Sequence, residues 1–484
     1  MPPLLALALW LILLVILLRY DPARDPKTSW TTWIAVAWLA IAASRLPSQW
    51  LQLQTDSASA AMQEGNGFDR IVLSALMAMA IWILIARRFK WGEFFLRHWT
   101  LMALLAFALF STFWSDFPGI TAKRWFRDLG NYFVVLVALT DPRPADSVRT
   151  ILRRVAYLLI PLSIVFTKYF PELGKQYDTW SGMGYYIGVA TSKNMLGALC
   201  LVSAVFFFWD SVSRWPERRQ KRTKRILWIN AVFLAMTARM TQLAHSTTSD
   251  VCIALGCLVI LAAHMKFFRR RPGLLKFLVP ATFVLYLVID FGVGLGGSLA
   301  QALGKDATLT DRTKIWAFLL NMHTNPIIGT GYQSFWLGDR LMDFWQNSGL
   351  GHLNEAHNGY LEIYLELGLI GCVLTVGFLI ASYRSICARF SGQSELAILG
   401  IAMWLVLVFY NMSEAAFEGG LLYSVFLFGA LTQSRRVTAR SKSAVKLRDT
   451  GVEAVPGTLA TTYPEHDLEP SLSSVQAGHR WLNS

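Results

Sequence analysis

Apolar residues in this chain run in unbroken blocks of roughly 12 to 20 positions, rather than alternating or recurring as narrow stripes. The blocks predict about thirteen membrane spans: Pro3–Leu18, Trp30–Ala43, Ile71–Ala86, Leu101–Phe113, Leu129–Thr140, Ile151–Phe166, Met195–Val212, Ile226–Leu243, Val251–Phe268, Leu274–Val293, Tyr360–Tyr383, Leu396–Asn411 and Leu421–Thr432. A bilayer core of about 30 Å asks for such runs. Only the stretch 294–358 is long and mixed in polarity. The predicted organisation is therefore N-terminal spans over 1–293, one large loop over 294–358, C-terminal spans over 359–433, and a tail over 434–484. The fold class expected is an all-α polytopic membrane protein of 12–13 transmembrane helices.

Composition agrees, with 54% hydrophobic and only 16% charged residues. A net charge of +14 could suit nucleic acid, but its distribution excludes that. The excess sits in alternate short loops, among them Arg87/Arg88/Lys90, Arg143/Arg149/Arg153/Arg154, the seven cations from Arg214 to Arg225, and Arg269–Arg271. Positive-inside bias assigns these to the cytoplasm. The N-terminus then lies outside, the C-terminus inside, and the large loop faces the periplasm or cell exterior. The first span lacks a small-residue cleavage site and is expected to be retained. The tail beyond Arg448, rich in Ser, Thr, Pro, Gly and Glu, is expected to be disordered. The five cysteines show no metal-type pairing and suit small buried thiols.

Against that bias a few cations stay on the outer side: Lys123, Arg124, Arg127, Lys168, Lys175, Lys193, Arg312, Lys314, Arg340 and, inside an apolar run, Arg239. Snorkelling or capping would explain any one of them. Collected on one face, they point to an anionic partner such as a phosphorylated lipid headgroup. Thr310–His323 predicts an amphipathic surface helix, with Thr310 as N-cap and Pro326 as stop. Arg312 in its first turn could grip a phosphate bidentately; the alternative is a rim arginine. Gly329 and Gly331 predict a turn with close backbone approach. Lys193, at the start of a span, opposes the helix dipole unless an anion lies between. His357 ends the loop at the membrane boundary. A lone histidine there is ordinarily structural, but histidine can also take a proton near neutral pH. Glu366 follows in apolar sequence, either as a satisfied buried carboxyl or as part of a site.

His357-Asn358, nine residues from Gly359 to Leu367, then Gly368-Leu369-Ile370-Gly371 resembles the signature of the O-antigen ligase and polymerase-like membrane proteins. Within that family it looks similar to exopolysaccharide polymerases of the succinoglycan type. Trp114-Ser115-Asp116, Lys193-Asn194-x-x-Gly197, Arg312-x-x-Ile315-Trp316 and Gly329-x-Gly331 are further similar pieces. The resemblance implies a glycosyltransferase C-type fold, no metal or other cofactor, and an inverting transfer from an undecaprenyl-diphosphate-linked oligosaccharide to a growing polysaccharide chain. The site would face the periplasm from the bacterial inner membrane, with a flippase and chain-length or export proteins as possible company. By the same resemblance Arg312 corresponds to the diphosphate-binding arginine and His357 to the residue activating the acceptor hydroxyl. Thr247 stands where relatives often carry Arg or Lys, which leaves Arg239, Lys193 and Arg124 as candidates for a second cation. Asn194, Trp316 and Glu366 complete the expected substrate-binding set. A ligase acting on a lipid A core is the alternative within the family. A lipid-linked glycan transporter or flippase is the alternative outside it, though the internal repeats common in transporters are not evident.

Overall fold

The computed structural model describes residues 1–23, 28–53, 65–177, 184–271, 308–390 and 394–432, with Leu274, Phe277 and 280–282. The predicted span Leu274–Val293 and the tail from 434 fall largely or wholly outside the described residues. Every other predicted span coincides with a helix. In chain order the main helices are α1 (Pro3–Tyr20), α2 (Thr32–Ala42), α3 (Gly67–Ala86), α4 (Trp91–Arg97), α5 (Trp99–Phe110), α6 (Pro118–Leu139), α7 (Pro144–Tyr169), α8 (Lys193–Arg214), α9 (Lys221–Ala244) and α10 (Thr247–His264). Then follow α11 (Thr308–Asn321), α12 (Gly338–Asn347), α13 (Gly359–Phe390), α14 (Glu395–Tyr410) and α15 (Gly420–Leu431). The described strands are two three-residue pieces, Lys175–Tyr177 and Gly184–Tyr186, paired antiparallel with Lys175 opposite Tyr186.

This is an all-α polytopic membrane protein. Among the described residues seven helices, α1, α3, α7, α8, α9, α10 and α13, are long and apolar enough to cross a bilayer. The pair α4–α5, bent by 91°, would make an eighth. The remaining predicted spans are shorter pieces: α2, α14 and α15, and the inner half of α6, where Val134–Ala138 are buried. Short helices suffice there because the protein rather than lipid surrounds them. Nearly all of α14 and α15 is buried, and Gly400 and Gly429 meet so closely that a Cβ on Gly429 would lie 2.6 Å from the Gly400 Cα. By contrast α1 is almost wholly exposed and leans on α7, where the Trp10 indole donates to the Leu158 carbonyl at 3.2 Å.

The two ends of the bundle are held differently. At the end carrying the loop cations, Asp210 of α8 is fully buried and receives Arg153 of α7 at 2.5 Å, Asn230 of α9 at 2.9 Å and Arg214 at 2.9 Å. At the other end α13 is broken. Gly368 has φ 62° and ψ −163°, a conformation only glycine adopts without strain. The segment 325–331 docks into the break: Leu369 N–H donates to the Pro326 carbonyl (2.9 Å), Ile370 to Ile327 (3.1 Å), Thr330 to Leu365 (3.1 Å) and Gly331 to Glu366 (2.8 Å). A Cβ at Gly329 or Gly368 would lie 2.3 Å from backbone of the opposite segment. The predicted close approach at Gly329 and the glycine of the His357 signature are thus the two sides of one joint. The helix over the loop begins at Thr308, so Thr310 lies inside its first turn rather than capping it.

Gly368→Ala should therefore destabilise the protein sharply, since the backbone strain alone costs on the order of 1–3 kcal/mol. Gly377→Ala, where a Cβ meets nothing within 4 Å, is the control. Thermal melting in detergent is expected to separate the two variants; equal midpoints would refute the joint.

Candidate functional site

The loop brings its own small core, in which Ile315, Leu319, Phe335, Phe344, Ala356 and Leu365 are buried. Trp316 belongs to this core's edge, and its indole donates to the Ala356 carbonyl at 2.9 Å. The Glu362 carboxylate accepts from Ala356 N–H at 2.5 Å and from the Trp336 indole at 2.9 Å. Both contacts pin the residue before His357. His357 itself has a left-handed backbone, φ 49°. Asn358 then caps α13, its Oδ1 accepting from Tyr360 and Leu361 N–H at 3.0 and 3.1 Å. Gly359 abuts the turn after α14, donating its N–H to the Asn411 and Glu414 carbonyls at 2.9 and 3.0 Å; a Cβ there would lie 2.0 Å from Asn411 Oδ1. So His357-Asn358-Gly359 aims a ring, starts a helix and makes room for a turn, in that order.

What the ring meets is a pair of carboxylates. His357 Nδ1 lies 2.9 Å from Glu355 Oε1 and 3.3 Å from Glu414 Oε2. Arg312 donates to Glu414 Oε1 at 3.2 Å, and Asn194 Nδ2 to Glu414 Oε2 at 2.7 Å. Arg312, Asn194 and His357, from three distant parts of the chain, therefore share one nearly buried carboxylate. Burial opposes charge on the His357 ring, but hydrogen bonds and attraction from Glu355 and Glu414 outweigh it and push its pKa up to about 10. The two carboxylates thus favour the imidazolium form of the ring. The ligand atoms of Glu355, His357 and Glu414 lie within 4.8 Å of one another, a donor set that could hold a divalent metal. Arg312 pairs with one oxygen of Glu414 and His357 with the other, so a metal ion there would compete with both for that carboxylate.

A second polar node lies beside the first. Gln333, also left-handed at φ 50°, donates its N–H to Glu366 Oε2 at 2.7 Å and accepts at its carbonyl from Arg124 at 2.5 Å. Its side chain bridges Arg127 (3.0 Å) and Asp128 (2.7 Å), and the Tyr332 hydroxyl donates to Asp128 at 3.0 Å. Glu418 hydrogen-bonds to Glu366, and burial raises its pKa, with that bond and the charges of Arg124 and Arg127 opposing. Glu366 and Arg124 thus belong to this node, not to the carboxylate that Arg312 and His357 share. Lys193 sits over the Tyr185 ring at 4.2 Å. Arg239 projects from the exposed face of α9 with Gln242 as a contact at 3.4 Å, and among the described residues it joins neither node.

Glu355, Glu414, Glu418, Asp128, Tyr332 and Gln333 escape the sequence patterns. One signal was available for two of them: Glu414 and Glu418 are carboxylates in the short turn between the last two spans, on the face where the cations collect. The nodes are joined by a crevice. A cavity of about 250 Å³ lined by Glu355, Glu414, Asn194 and Thr191 continues, past Thr191, Met195 and Gly420, into one of about 310 Å³ lined by Glu418, Asp128 and Asn131.

Helical membrane scaffold, signature histidine and paired cation fit one class, and the comparisons support it: the O-antigen ligase/polymerase-like membrane proteins. Residues 232–376 match the family profile described as O-antigen ligase, a stretch that holds Arg239, Arg312, Trp316, His357 and Glu366. The chain is similar to the exopolysaccharide production protein ExoQ of Rhizobium meliloti (strain 1021), with 25% identity over 414 residues, covering 79% of this chain and 88% of that protein. Its class of chemistry is glycosyl transfer of the polymerase or ligase type, on lipid-linked polysaccharide.

Replacing Glu414 by Gln removes one of the two charges that hold the imidazolium, so the His357 pKa should fall. Modification of His357 by diethylpyrocarbonate, which attacks the neutral ring, should then begin at lower pH than in the parent protein. An unchanged onset would show that Glu414 does not govern the ring.

Proposed function

We propose that the protein is an exopolysaccharide polymerase that joins undecaprenyl-diphosphate-linked oligosaccharide repeats at the outer face of the inner membrane, without a metal. The observation that carries this is the meeting of Arg312 and His357 on Glu414, a residue that lines the crevice. Arg312 neutralises the diphosphate of the donor glycan. Charge placed in advance at a leaving group lowers the barrier to breaking the anomeric bond. His357 takes the proton of the acceptor hydroxyl that attacks the anomeric carbon from the opposite side, inverting it. The diphosphate departs still paired with the guanidinium. The glycosyltransferase C-type fold expected from the resemblance suits this use of one outer loop above a helical bundle. The similarity to an exopolysaccharide production protein supports glycosyl transfer of the polymerase or ligase type, and transfer to a lipid A core is the alternative within it.

One observation favours a second assignment of roles. With its pKa pushed up to about 10, His357 is charged at rest and could serve as the second cation on the diphosphate. Glu355, which is half-buried and lines the crevice, would then take the hydroxyl proton. The pH profile separates the two. If neutral His357 is the base, turnover rises about tenfold per pH unit until roughly the ring's own pKa. If the imidazolium is the working form, turnover is flat through neutrality and falls above that pKa.

His357→Ala is expected to abolish polymer in cells while membrane levels stay normal; wild-type polymer in that variant would end the proposal. Arg312→Lys should lower turnover at least about tenfold, because a point charge cannot reproduce the two-pronged guanidinium contact with phosphate. Full activity of the lysine variant would remove Arg312 from the diphosphate.

A further inference from the structure

The crevice does not end at Asp128. Past Trp38, Leu46 and Leu73 it opens, beside Arg127, into a third cavity of about 340 Å³. Four cations line this outer chamber: Arg70 at the start of α3, and Lys123, Arg124 and Arg127 on the first turns of α6. Its one carboxylate, Asp69, is engaged elsewhere, accepting from Ser48 N–H at 2.7 Å and from the Ser48 hydroxyl at 2.5 Å. Arg124 and Arg127 are held in place by Gln333. Arg70 and Lys123 are exposed, and neither forms an ion pair among the described residues. The remaining wall is apolar, with Leu73, Met77, Ile120 and Phe126. The adjoining face of α3 presents Ile71 (70% exposed) and Trp82 (72% exposed) outward, as a lipid-facing surface does.

A chamber that is cationic at its polar end, apolar along its wall and flanked by a lipid-facing helix suits an amphiphile with an anionic headgroup. Arg127 is paired with Asp128 at 2.9 Å, which leaves Arg70 and Lys123, both exposed, as the cations best placed to meet an anion at the chamber's rim. Glu414, the partner of Arg312, lines the opposite end of the same crevice. Joining two lipid-linked glycans requires that two phosphorylated lipids be held at once, one for each partner.

Resting on the proposed polymerase function, we infer that the chamber lined by Arg70, Lys123, Arg124 and Arg127 binds the diphosphate of a second lipid-linked glycan, the acceptor, while Arg312 binds that of the donor. The acceptor's sugars lie along the crevice past Asp128, Asn131 and Glu418, and bring the attacking hydroxyl to the Glu355–His357–Glu414 cluster. Arg124 thereby serves the acceptor and not the donor. The crevice fixes which end of each glycan can react, because each diphosphate is anchored at its own mouth.

The test counts bound lipid by native mass spectrometry of the full chain titrated with undecaprenyl diphosphate. The parent protein is expected to bind two equivalents, Arg312→Gln one, and Arg70→Gln/Lys123→Gln one, with the lost equivalent weakened about tenfold or more. Arg70→Lys/Lys123→Arg, which keeps the charges, is expected to restore the second equivalent, and matched melting temperatures verify folding. Two equivalents of unchanged affinity in Arg70→Gln/Lys123→Gln would overturn the inference and leave the polymerase proposal standing. Displacement of the second equivalent by phosphatidylglycerol at equal concentration would overturn it too, marking a site for bulk anionic lipid. No binding by the parent protein would sink the polymerase proposal and this inference with it.

Discussion

A single carboxylate at position 414 lets two cations share a water-poor corner of the protein. Arg312 and the His357 imidazolium would repel each other there, and an unpaired buried charge is among the costliest features a fold can carry. Glu414 stands between them, with Asn194 as a further donor. At an effective dielectric of about 20, opposite charges 4 Å apart attract by roughly 4 kcal/mol, enough to keep the corner assembled without substrate. The Glu414 backbone carbonyl also receives Gly359 N–H, so the charge pairing and the start of α13 are built on one turn.

The span pattern was legible because membrane helices obey a simple length rule, and the run lengths along the chain reflect it directly. Loop charge likewise marked the two ends of the bundle. The His357-Asn358-Gly359 and Gly368 positions were legible as a motif, yet not as a mechanism. That Gly368 breaks the helix to receive the segment at Gly329 follows from a backbone approach no periodicity encodes. Glu414 was invisible for a different reason. Its partners lie 57, 102 and 220 positions away, and a lone carboxylate in a short turn looks like any solvated loop residue. Arg239 illustrates a different limit. Which face of α9 packs inward is decided by side chains such as Phe233 and Thr237, and that choice leaves Arg239 on the exposed face.

The two polar nodes are coupled through backbone rather than side chains. Gln333 ties Arg124, Arg127 and Glu366 together, and the 325–331 segment just before it is hydrogen-bonded into the broken helix that begins after His357. The outer half of α13 therefore belongs mechanically with the loop, and the inner half with the bundle. Two residues with left-handed backbone, Gln333 and His357, sit one in each node, and stored backbone strain of this kind gathers where side chains must be aimed.

At the far end, three arginines from two helices converge on Asp210. Arginine is the residue that tells the insertion machinery which way a helix should face, and here it is also the rivet between neighbouring helices. Arg149 reaches beyond Asp210 to Asp146 and to Glu395 at the start of α14, so three carboxylates answer the three arginines and a third helix is tied into the knot. Orientation and assembly are thereby written in the same few side chains: the charges that keep this end out of the bilayer are the ones that lash its helices together.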